Sequence, residues 1–410
     1  MKTTFLKIVF LSCSILTIIS CSSDKEEDSV GIIIDHPMQD DPLTTSNTAN
    51  YMVDANASKE TVALFYNLKR LSRTKTAIGQ QDAFNSFYQD AGGESDIKKN
   101  TGYDPAILGS DFMFITDKNN NEQADNWFYQ QEQKIIADTK NAYAKGMINT
   151  FCWHLREPFK EESFYAADMS AEEKAVAFKS ILPGGANNEW YKKKLDKIAS
   201  VVSSLKGANG ELIPIIFRPF HEFDGSWFWW GADFCTADEY KKAYQFTVDY
   251  LKNVKGVHNI LYAFSPDSSY TTEANYLSQY PGDKYVDIIG MDNYGDFNNQ
   301  GQTGADKANS KLKILSDYAK AKVKIAALTE TGYRVTNTTP AIANWFSTLL
   351  YSALTKNDIE ISYMMFWNNN TDGYYTPNNT ASNAVDFKTY SSKTRSALVN
   401  SLPKMYEMPK

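Results

Sequence analysis

The sequence predicts a single (β/α)8 barrel, and three observations lead there. Eight short apolar runs recur after residue 50, amphipathic stretches follow most of them, and no internal repeat or change of composition divides the chain. The rival is a doubly wound open sheet, which would carry a Gly-rich phosphate turn after its first strand. Ile78-Gly79-Gln80-Gln81-Asp82 is no such turn.

In chain order, the expected strands are 76–81, 107–114, 147–154, 213–222, 259–266, 286–294, 324–331 and 363–369. Each is a run rich in Ile, Val, Leu, Phe or Met, short enough for a strand buried on both faces. The expected helices are 125–145, 188–206, 237–254, 305–320, 341–356 and 384–399. The second shows the helical spacing most plainly, with Leu195, Ile198, Val201, Val202 and Leu205 on one face. Long connections fall at 83–104, 155–187 and 295–304, where loops over a barrel mouth would lie.

The chain has 410 residues, and its 42% hydrophobic content excludes wholesale disorder. Forty-two basic against 49 acidic residues leave a net charge of -7, which repels phosphate backbones, so nucleic acid is not expected as a partner. The 25 Tyr and 8 Trp suit surfaces that stack on ring-shaped ligands.

Residues 1–20 read as a secretory leader. Lys2 and Lys7 precede an apolar run too short to span a bilayer. The run ends Ile18-Ile19-Ser20-Cys21, which resembles a bacterial lipoprotein cleavage box with Cys21 as the lipidated residue. An acidic stretch, Asp24-Lys25-Glu26-Glu27-Asp28, follows it and resembles the surface-export tag of glycan-degrading Gram-negative bacteria. The expectation is an outer-membrane lipoprotein on the cell-surface or periplasmic face, a flexible tether over 21–50 and one monomeric domain over 51–410. Cys152 and Cys235 are the only other thiols beyond the leader, and the sequence leaves their pairing open.

Catalytic side chains of such a barrel sit where strands end. The fourth run ends Arg218-Pro219-Phe220-His221-Glu222, and the seventh ends Thr329-Glu330-Thr331-Gly332. Two carboxylates on strands four and seven face each other across the mouth, as an acid and a nucleophile flanking a glycosidic bond do. Glu157 lies three residues past the third run and reads as a loop or ion-pair residue beside Arg156. His154 and His221 end runs three and four, and Tyr294 ends run six, where its phenol can donate to a carboxylate. Trp227 and Trp367 follow runs four and eight, while Phe228 and Trp229 read as core. Metal and cofactor motifs fail on spacing: His221-Glu222 lacks a second His, and the calcium-like Asp117-Lys118-Asn119 stretch lacks Gly at position six and Glu at position twelve.

Together, Arg218–Glu222, the Trp227–Trp230 run, Asp292-Asn293-Tyr294 and Thr329–Gly332 resemble glycoside hydrolase family 26 over residues 51–410. His rather than Asn before the strand-four acid makes the resemblance specific. It implies a retaining, endo-acting β-1,4-mannanase working on mannan or manno-oligosaccharides without a cofactor or metal. Glu222 would be acid/base and Glu330 nucleophile, with His154, His221, Asp292, Tyr294 and Trp367 around the cleaved sugar and Trp227 stacking beside it. β-1,3-Xylan and mixed-linkage β-glucan stay open as substrates, and so does the choice between endo and exo action. A surface lipoprotein that only captures glycan is the reading from another class, and it has no use for the carboxylate pair.

Overall fold

The computed structural model describes residues 42–84 and 93–410. The leader, Cys21 and most of the tether therefore lie outside the described residues.

Eight parallel strands close into a barrel: β1 (Thr76–Gln81), β2 (Ile107–Asp111), β3 (Ile148–Cys152), β4 (Ile215–Arg218), β5 (Ile260–Phe264), β6 (Ile288–Asn293), β7 (Ile325–Thr331) and β8 (Tyr363–Phe366). Each pairs with the next, and β8 returns to β1 in the register Ala77↔Tyr363. All eight expected runs are strands, but most stop two to four residues early. The difference is systematic, because the residues past each strand end are the ones that turn into the mouth.

The ring of helices contains α1 (Lys59–Leu71), α2 (Asp96–Thr101), α3 (Trp127–Ala144), α4 (Ala171–Ser180), α5 (Asn188–Ser204), α6 (Ala237–Asp249), α7 (Glu273–Tyr276), α8 (Gly301–Lys322), α9 (Tyr351–Thr355) and α10 (Ala384–Ser391). Short polar caps start several of them. Ser170 with Glu173, and Thr236 with Glu239, form reciprocal capping boxes that satisfy the first free N–H groups of α4 and α6. The expected helix over 384–399 ends at Ser391. The chain then adds a short ninth strand, β9 (Ser396–Ala397), beside the start of β1, where β2 has not yet begun to pair.

Inside the barrel the strands approach closely. A Cβ on Gly79 of β1 would lie 2.8 Å from Cβ of Ile107 and 2.2 Å from Sδ of Met365, so only glycine fits there. Helix α1 packs Leu64, Phe65, Leu68 and Leu71 into the apolar cluster formed by inward strand residues such as Ala77, Ile107, Ile148 and Ile216.

The expected tether reaches too far into the chain. Leu43 is buried in that same cluster, its carbonyl accepts from Arg70, and Thr48 is buried as well. Apolar contact draws residues 42–50 onto the domain.

Candidate active site

The strand-four exit owes its shape to two left-handed residues. Phe220 has φ 52° and Glu222 has φ 51°, a region costly for residues with a Cβ and found where surrounding bonds impose it. Those bonds are present. The Tyr240 hydroxyl donates to the Phe220 carbonyl at 3.1 Å, Trp230 Nε1 donates to the His221 carbonyl at 2.8 Å, and the Glu222 N–H donates to the Ser265 carbonyl at 2.9 Å. The strand-seven exit is shaped by a bulge. Register runs Met291↔Leu328 and then Asp292↔Glu330, leaving Thr329 as the extra residue. Its hydroxyl donates to Asp292 Oδ1 at 2.6 Å.

Between these exits lies a cluster of three acids and one arginine. Glu222, Asp292 and Glu330 each place a carboxylate oxygen within 4.8 Å of the others. Arg218, buried at the end of β4, reaches Asp292 Oδ2 at 2.5 Å through Nη1 and pairs with Glu330 Oε1 through Nη2. The Tyr294 hydroxyl donates to the other Glu330 oxygen at 2.9 Å. Both oxygens of Glu330 thus meet donors. Burial pushes Asp292 up, against the pull of Arg218 and Thr329.

Glu222 is in the opposite situation. Burial, then the Glu330 and Asp267 carboxylates, push its carboxyl up to about 8, against one indole bond from Trp227 Nε1 at 2.8 Å. Its proton is therefore held at neutral pH while Glu330 stays bonded to Arg218 and Tyr294, the asymmetry an acid and a nucleophile need. The nearest carboxylate oxygens of Glu222 and Glu330 lie within 4.8 Å of each other, the close placement a retaining pair needs.

The remaining expected residues fall in different positions. His154 and His221 meet each other at 3.2 Å between their Nε2 atoms. His221 is buried and its side-chain partner is this imidazole, where the family resemblance implied a place beside the cleaved sugar. Asp292 has no exposed surface, so it stands behind Arg218 rather than against a ligand. Trp227 is 39% exposed at the rim, whereas Phe228, Trp229 and Trp230 are all core. Trp367 packs edge-on to His154, with ring centroids 5.8 Å apart. A recess of about 230 Å³ opens next to this pair, lined among others by Asp82, Asp111, Lys134 and Tyr165. Glu157 is buried and accepts the N–H groups of Phe159, Lys160 and Glu162, while Arg156 pairs with Asp117 at 2.9 Å instead. Cys152 and Cys235 are both free thiols.

Sequence reasoning gave no role to Arg218, Asp111 or Asp267. Arg218 carried the clearest signal, since a cation ending a fully apolar run must find carboxylates inside the fold. Asp111 and Asp267 follow apolar runs as ordinary-looking strand-end acids.

A closed barrel whose mouth sets a proton-bearing glutamate against an arginine-held one defines a glycoside hydrolase of the two-carboxylate kind. Comparison with known proteins carries this further. The profile of Glycosyl hydrolase family 26 matches residues 53–380, and the chain belongs to that family. The structure of GH26C from Muricauda sp. MAR_2010_75 is 56% identical, with a TM-score of 0.89 over 90% of this chain and 99% of that one. A GH26 β-mannanase from Bacteroides ovatus is 29% identical, with a TM-score of 0.75 over 85% and 98%. A mannan endo-1,4-β-mannosidase of Bifidobacterium adolescentis is 33% identical over 381 residues, 87% of this chain. This chain spans 36% of that protein's length, and 66% of a Bacillus subtilis relative of the same name.

Proposed function

We propose that the chain is a retaining endo-β-1,4-mannanase that cuts mannan and galactomannan by double displacement. The observation that carries the mechanism is the close approach of Glu222 and Glu330 with their protons held apart. In the first step Glu330 attacks the anomeric carbon while Glu222 gives its proton to the departing glycosidic oxygen. Neutralising Glu330 by bond formation removes the charge that raised Glu222, so the latter is freed to act as a base. In the second step Glu222 takes a proton from water, which attacks the same carbon and releases Glu330. Trp227, bonded to Glu222 and exposed at the rim, is placed to stack on the leaving sugar. The choice of mannan is supported by the names of the relatives from Bifidobacterium adolescentis, Bacillus subtilis and Bacteroides ovatus.

The test is product analysis on galactomannan, unsubstituted mannan, β-1,3-xylan and mixed-linkage glucan in parallel. A ladder of manno-oligosaccharides from the mannans alone is expected, with the newly freed reducing end first appearing as the β-anomer by NMR. Products from xylan or glucan instead would reassign the substrate, and an α-anomer would overturn retention.

The cellular reading is that Cys21 carries a lipid and holds a monomeric enzyme at the outer membrane. It is supported by the leader pattern and the acidic stretch after it. Radiolabelled palmitate should enter the wild-type chain in cells and not the Cys21→Ser variant; equal labelling of both would remove Cys21 as the anchor.

A further inference from the structure

Asp111 ends β2 and lies behind the histidine pair. Its Oδ1 accepts the Met113 N–H at 2.8 Å and the His154 N–H at 3.1 Å, while its Oδ2 stands 2.5 Å from His154 Nδ1. Burial alone would raise this carboxyl, but the His154 imidazole and the two backbone donors outweigh it and hold it below the ordinary carboxylate value. An ionised oxygen at that distance requires a proton on Nδ1.

The next contact then has few solutions. The two Nε2 atoms are 3.2 Å apart, and a hydrogen bond there needs one proton between them. If both rings are neutral, His154 Nε2 is a bare acceptor and His221 Nε2–H donates to it. The other solution makes His154 a cation and moves the His221 proton to Nδ1. That atom is buried and has no hydrogen-bond partner, so the second solution buries an unsatisfied N–H. It also brings a second cation towards Arg218. Burial first, and then the charges of Arg218 and His154, keep His221 far below its ordinary value. The other titratable groups near the chain are Cys152 on β3, Asp82 after β1, Lys134 and Asp138 on α3, and Tyr165 across the recess. Burial keeps Cys152 a thiol and raises Asp138 and Tyr165, while Asp82 is pushed up to about 7 and keeps its proton below that value, where the first solution stands.

We infer that Asp111 is a positioning residue whose carboxylate fixes the proton on His154 Nδ1, making His154 Nε2 an acceptor and His221 Nε2 a donor. The two imidazoles are then one proton-ordered unit rather than two independent ligand contacts. In this order both His154 nitrogens are already engaged, Nδ1–H by Asp111 and the Nε2 lone pair by the His221 N–H, so the ring that packs edge-on to Trp367 is held in one fixed orientation.

The geometry supplies its own test in Asp111→Asn. The asparagine Oδ1 keeps both backbone N–H bonds, so the turn after β2 is preserved. Its amide NH₂ replaces Oδ2 and donates to His154 Nδ1, which forces the proton order along the chain to reverse. The full chain has four histidines, so ¹⁵N-detected tautomer spectra are tractable, with His154→Gln assigning the resonance. At pH 6, where Asp82 is protonated, the wild type should show His154 as the neutral Nδ1–H form, and Asp111→Asn should show Nε2–H. An Nε2–H or doubly protonated His154 in the wild type would overturn the inference, and this readout does not depend on activity. The effect on turnover rests on the mannanase reading: kcat/KM on mannan should fall by about tenfold to a hundredfold with the melting temperature preserved. Reversed tautomers with kcat/KM within twofold of wild type would overturn the claim that the proton order serves catalysis.

Discussion

Glu222 and Glu330 differ by their neighbours, and their variants should differ accordingly. Under the proposed mechanism Glu330→Ala removes the nucleophile, and it should abolish turnover on every substrate. Glu222→Ala should slow polysaccharide cleavage by about 10²–10⁴-fold, yet spare the first step on aryl mannosides whose leaving group needs no proton. Burst kinetics with such a glycoside checks this, and equal loss on both substrates would remove Glu222 as the acid. The pH dependence follows from the same carboxyl. Its folded value lies above the ordinary 4.5, so the protonated form is favoured in the fold. Activity should therefore fall as pH rises through about 8, where the acid loses its proton. Stability has the same sign: the contribution is complete below the unfolded value and is lost as pH rises through the folded one. Glu222→Gln should then melt above wild type by about 3 °C at pH 9 and not at pH 4, measured by calorimetry. The strand-end carboxylates were legible in the sequence because each closes an apolar run. Arg218 was printed beside one of them, but its bond to Glu330, a residue 112 positions away, depends on barrel curvature that no local pattern records.

At the scale of single elements, the apolar runs identified all eight barrel strands and missed their ends. The apolar run continues through Pro219 and Phe220, while the backbone has already turned left-handed at Phe220. The short helices α2, α4 and α7 escaped notice, since six, ten and four residues give too few turns for a periodicity, and so did α1, whose thirteen residues are buried nearly all round and show no exposed polar face. β9 was hidden inside an apparent helix, because a two-residue strand is created by its neighbour and not by its composition. Close packing inside the ring makes its own prediction. Gly79→Ala presses a methyl group into Ile107 and Met365, and should cost about 1–3 kcal/mol of stability in chemical denaturation. A variant as stable as wild type would mean that the β1–β2 pair can separate without penalty.

For the molecule as a whole, a ring of strands has no place to divide. Unfolding followed by tryptophan fluorescence and by far-UV circular dichroism should give coincident transitions, since opening any strand pair exposes two edges at once. Separate transitions would show that part of the barrel stands alone. The closure between β1 and β8 also has a temporal side. A ribosome or an export pore releases the chain N-terminus first, and β1, already able to pair with β2, must wait for β8 to emerge before its second neighbour exists. At synthesis rates of about 5–20 residues per second, that wait lasts tens of seconds. Over that interval the nascent chain carries an unsealed sheet edge, an exposure to mispairing that the closed ring no longer has.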